Sequence, residues 1–101
     1  MNAIQFINEH GVDKAREVVE GAPEWASHFD GYLYSEKQFH EQCFLLSELK
    51  RLVESVYLVK EHHTLDRAIE YANSQYTAPE IKVCLLDAIA DYRSIYGGEH
   101  V

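Results

Sequence analysis

Apolar residues in this chain recur at helical intervals in its first and last thirds, and cluster as aromatic runs between them. Ile4, Phe6 and Ile7 precede Gly11, and Val12, Ala15, Val18 and Val19 follow it at spacings of three and four. Gly11 suits the positive backbone angle that ends one helix, and Asp13 places negative charge in the first turn of the next. Pro23 cannot continue a helix, so residues 1–22 read as two short helices meeting at a corner.

Residues 25–45 lose that spacing. Trp25, Phe29, Tyr32, Tyr34, Phe39 and Phe44 stand among polar breaks such as Asp30-Gly31. Aromatic runs beside an Asp-Gly turn predict strands near 26–30, 32–36 and 39–45, paired as a small antiparallel sheet or hairpin. The competing reading is an aromatic loop packed on helices.

Helical spacing then returns. Ser47 reads as an N-cap, and Leu49, Leu52, Val53, Val56 and Val59 trace one stripe to about His62. Thr64 caps a second helix over 65–74, with Leu65, Ala68, Ile69 and Ala72 inward. Thr77 and Glu80 are spaced as a capping box, with Pro79 in the first turn of a last helix. Its inward stripe is Ile81, Leu85, Ala88, Tyr92 and Ile95, and Gly97-Gly98 ends it, leaving Glu99, His100 and Val101 as a frayed tail.

The two helical segments are related. FINEHGVDKARE at 6–17 matches LVKEHHTLDRAIE at 58–70 when one residue is inserted in the second copy. Glu9, His10, Asp13, Ala15 and Glu17 then fall on Glu61, His62, Asp66, Ala68 and Glu70, while Lys14 falls on Arg67. A duplicated unit of this kind reports architecture first. The expected fold is therefore α+β and mostly helical: two helix-corner-helix units, 1–22 and 47–74, frame the aromatic segment 25–45, and a helix over 77–97 follows. At 101 residues these elements form one domain.

Charge narrows the function. The chain carries 17 acids against nine bases, a net charge of −8. That balance disfavours direct nucleic-acid binding. It also answers the suggestion of a DNA-reading helix pair, because both second helices carry acids: Asp13, Glu17 and Glu20 in one, Asp66 and Glu70 in the other. No apolar run reaches the length of a membrane-spanning helix, and the N-terminal residues lack the pattern of a secretion signal, so a cytoplasmic location is expected. In that setting Cys43 and Cys84 read as buried thiols rather than a disulfide.

Reaction chemistry is sparse. His40 and Cys43 have a spacing found in zinc ligands, but Cys84, His28 and His62-His63 supply no second close pair, so no metal or other cofactor is expected. His10 and His62 sit where helices end, and a protonated imidazole is favoured there by the helix dipole. Ser27-His28 has no triad meaning by itself, and no glycine-rich phosphate loop precedes a helix. The reading is of a protein that is not an enzyme. The residues singled out for binding are Trp25, Tyr32 and Tyr34 as aromatic contacts, with Glu9, Asp13, Glu17 and Glu20 as the acids crowded before them.

VDKAREVVEGAPEWASHFD, LLSELKRLVESVYLVKEH and DAIADYRSIYGGEHV resemble segments of small early-region proteins of lambda-like bacteriophages and prophages. The likeness covers the start, middle and end of the chain, and departs from the pattern at His62-His63, where a glycine-rich corner is more typical. It carries no catalytic motif. It implies a phage protein that inhibits or modulates a host protein in the host cytoplasm, such as a nuclease, polymerase or defence complex. The alternatives are a small homo-oligomeric accessory protein and, behind it, a metal- or histidine-dependent enzyme.

Overall fold

A computed structural model describes residues 2–38 and 41–97. Among these residues the chain is mostly helical α+β, in the order α1 (Ala3–His10), α2 (Val12–Glu20), β1 (His28–Phe29), β2 (Tyr34–Ser35), β3 (Phe44–Leu45), α3 (Leu46–Glu61), α4 (Leu65–Asn73) and α5 (Pro79–Tyr96). The chain divides into two compact units, residues 1–53 and 54–101, and α3 contributes to both.

In residues 1–53, Asn2 starts α1 through a capping box: its side chain accepts from Gln5 N at 2.8 Å, and Gln5 Oε1 accepts from Asn2 N at 2.9 Å. Gly11, at φ 88°, makes the corner, and its N–H donates to Ile7 O. The three strands are antiparallel in the order β2-β1-β3. Each is only two residues long, so the expected strands at 26–30, 32–36 and 39–45 are far too long. Asp30 and its neighbours bond within their turn, and residues 39 and 40 lie outside those described. Register places Tyr34, Phe29 and Phe44 in one row, which is one face of a pleated sheet. Phe6 meets that face, edge-on to Phe29 at 5.8 Å and tilted against Phe44 at 5.7 Å. Ile7, Ala15 and Leu49 are buried in the same unit.

In residues 54–101, Val59, Leu65, Ala68, Ala72, Leu85, Ala88 and Ile89 form one core cluster. Ser55 Oγ donates to Asp91 Oδ2 at 2.7 Å, fixing α5 against the second half of α3. Thr64 caps α4 as expected, accepting from Arg67 N at 3.1 Å.

Four expectations are corrected here. α3 begins at Leu46, so Ser47 is its second residue and not its cap. The N-cap of α5 is Ala78 with no side-chain bond. Thr77 turns away from Glu80 and donates its hydroxyl to Tyr71 O, closing the end of α4 instead. Ile81 is 48% exposed, because the first turn of α5 extends past the core that buries Leu85 and Ala88. Cys84 is exposed for a related reason: it lies to one side of the buried stripe, while Cys43 is buried. Both are thiols.

Candidate functional site

The two corners share a backbone device. His63 occupies the place that Gly11 takes in the first copy, and it has φ 74°, the only positive value among the described residues other than glycine. The inserted Thr64 supplies the side-chain cap that Gly11 cannot give α2. Buried positions match as well: Ile7 with Val59, Val12 with Leu65, and Ala15 with Ala68.

A cleft of about 360 Å³ lies beside the first corner, lined by Phe6 and His10 of α1, Lys14, Glu17 and Val18 of α2, and Phe29, Gly31, Tyr32 and Tyr34 of the hairpin. Each part has a local cause. Residues 14, 17 and 18 share a face of α2 through helical spacing, and 6 and 10 share a face of α1. The His10 ring packs on Phe6 at 4.7 Å. Lys14 Nζ lies 3.8 Å from Glu17 Oε2. The hairpin tip is held by Asp30, whose Oδ1 accepts from Tyr32 N at 2.8 Å and Leu33 N at 2.7 Å, while Gly31 takes φ 102°. The backbone at Tyr32 is thereby fixed, while Tyr32 is 89% and Leu33 70% exposed.

Of the residues singled out from sequence, Glu17, Tyr32 and Tyr34 meet in this cleft. Tyr34 is not open surface: it is half-buried, packs on Phe29 at 4.8 Å, and donates its hydroxyl to Val18 O at 2.7 Å. Burial pushes its phenol above the ordinary tyrosine value. Trp25 is 60% exposed but does not line the cleft. The acids are less uniform than their crowding in sequence suggests. Glu20 pairs with Arg16 at 2.9 Å, Glu17 with Lys14, and Glu9 lies 3.9 Å from His10 Nε2. Glu9, Asp13, Glu17 and Glu20 are all exposed. Sequence reasoning missed Lys14 and His10 as part of the site. The signal is their recurrence in the second copy, which by itself reads as architecture and, for the histidines, as helix ends.

A second cleft of about 400 Å³ lies at the other corner, lined by Glu61, His62, His63, Arg67, Glu70 and Tyr71. His62, Arg67, Glu70 and Tyr71 are the counterparts of His10, Lys14, Glu17 and Val18. His62 packs its ring on Tyr71 at 5.0 Å. In the first cleft tyrosines come from the hairpin; in the second, no hairpin residue lines the wall and the helix supplies the tyrosine itself. Among the described residues, no group of three or more His, Cys, Asp or Glu side chains is placed to hold a metal ion. None of the helices there is long and apolar enough to cross a membrane.

The chain matches no known protein family, no curated protein and no solved structure.

Proposed function

We propose that this chain is a non-enzymatic protein-binding module of bacteriophage origin that inhibits or modulates a host protein, one that processes nucleic acid or serves in defence. The observation that carries the reading is the hairpin tip. Tyr32 and Leu33 stand in solvent on a turn that Asp30 pins with two hydrogen bonds. Large apolar side chains on a backbone already held in place cost less further entropy, in the loop at least, when a partner covers them. Trp25 adds a second exposed ring in the same unit. The net charge of −8 steers the surface toward a basic partner, and the phage resemblance supplies the setting.

The test is capture of bound proteins from the bacterial host by the tagged chain and by a Tyr32→Ala/Leu33→Ala variant, at low and moderate salt. A partner retained by the native chain and lost by the variant supports the reading. No partner at either salt, or equal retention by both chains, overturns it.

Homo-oligomer formation is the second reading. Ile81, Val83 and Leu86 are exposed on α5, and Leu58, Ile81 and Cys84 line an apolar groove. Light scattering separates the two, because a mass that stays monomeric over a wide concentration range removes this alternative.

A further inference from the structure

The duplication preserved more than packing requires. Buried positions such as Ala15 and Ala68 match because the corner needs them. Positions outside the core carry no such demand, yet imidazole, base and carboxylate recur together: exposed His10, Lys14 and Glu17 in one copy, and half-buried His62 with exposed Arg67 and Glu70 in the other. Helix stability explains the histidines, which follow or end a helix. It does not explain the other two. Lys14 and Arg67 are each the third residue of their helix, where the dipole disfavours a cation. A base preceding an acid is also the weaker order for a pair on one helix. Each triplet nevertheless lines a cleft, and each cleft has a tyrosine in its wall.

We infer that the two corners are equivalent binding sites, each taking a peptide segment of a partner protein that presents an acidic and a basic side chain within one helical turn. The inference rests on the protein-binding reading above and specifies what the partner must carry. The complement of a base and a carboxylate side by side is a carboxylate and a base. A singly charged ligand leaves one member of the pair unmatched, whereas a doubly charged segment answers both. Lys14 and Glu17 are within 3.8 Å of each other, so the segment exchanges one exposed internal pair for two external ones. The imidazole adds a further hydrogen-bonding group, and the tyrosine ring covers the aliphatic part of the incoming side chains.

The experiment is a nitrogen-15 NMR titration of the full chain with three acetylated, amidated tetrapeptides: Glu-Ala-Ala-Arg, Glu-Ala-Ala-Gln and Gln-Ala-Ala-Arg. The first should shift the backbone signals of Lys14 and Glu17 together with those of Arg67 and Glu70, and bind about fivefold more tightly than either singly charged peptide. In Glu17→Gln the advantage over Glu-Ala-Ala-Gln should vanish at the first corner while the advantage over Gln-Ala-Ala-Arg stays, through Lys14; both should persist at the second corner, which serves as the folding control within the same molecule. Equal binding of all three peptides, a response at one corner only, or no response at either would overturn the inference. A partner whose capture depends on Tyr32 and Leu33 would still stand in those cases, so the two proposals fail separately.

Discussion

Single residues fix the first unit's cleft more firmly than their exposure suggests. Tyr34 was singled out as a contact ring, but its hydroxyl is committed to Val18 O, tying the hairpin to α2. Tyr34→Phe should cost about 1 kcal/mol, read as a lowered urea midpoint with unchanged slope. Because burial raises the phenol's pKa, its contribution is complete below the ordinary value of 10.0 and declines as the pH rises through it toward the folded value. The native chain should therefore lose more stability than Tyr34→Phe between neutral and strongly alkaline pH. His63 makes the opposite prediction. At φ 74° it bears the cost of a left-handed residue with a side chain. His63→Gly should raise stability by about 0.5–1 kcal/mol in the same urea assay. Nothing local in the second copy announced this angle; only alignment with Gly11 does.

Elements show where local rules held and where they were outcompeted. The helical stripe Leu49, Leu52, Val53, Val56 and Val59 is buried throughout, and the Thr64 cap forms, because both depend on residues within one or two turns. β1 and β2 end where Asp30 diverts the backbone between them into a turn that satisfies Tyr32 and Leu33 without a ladder. Asp30→Ala should cost about 1–2 kcal/mol and let the tip move, which hydrogen exchange at Tyr32 and Leu33 would record as faster amide loss. Unchanged exchange there would mean the turn does not depend on the carboxylate. Thr77 obeys the same competition: the Tyr71 carbonyl at the end of α4, which already accepts from Ser74 N, takes as its second donor a hydroxyl expected to cap α5.

At the scale of the molecule, the two cysteines are the clearest measure of what tertiary packing decides. Both look like small apolar residues among apolar neighbours in sequence, yet Cys43 is buried and Cys84 exposed. A thiol reagent should label Cys84 in the native protein within the mixing phase and Cys43 only on unfolding. Fast labelling of both would contradict the burial of Cys43. The charge of −8, by contrast, is a property of the whole chain that sequence states outright, while its local neutralisation by Arg16 and Lys14 is visible only once their partners are placed.

Sequence alone determined the helices, their two corners, their duplication and the α+β class. Those features arise from spacing and backbone preference over a few residues, which the chain carries in its order. Tertiary structure decided which side of each element faces water. It buried Phe29 and Phe44 beneath Phe6, left Tyr32 and Trp25 exposed, turned Ile81 and Cys84 outward, and gathered His10, Lys14 and Glu17 beside the hairpin. Burial sums contacts from residues distant along the chain, so no local pattern encodes it. The duplicated triplet lies between these limits. Its identities were present in the sequence from the start, but only its position along the rim of two clefts gives it a chemical meaning.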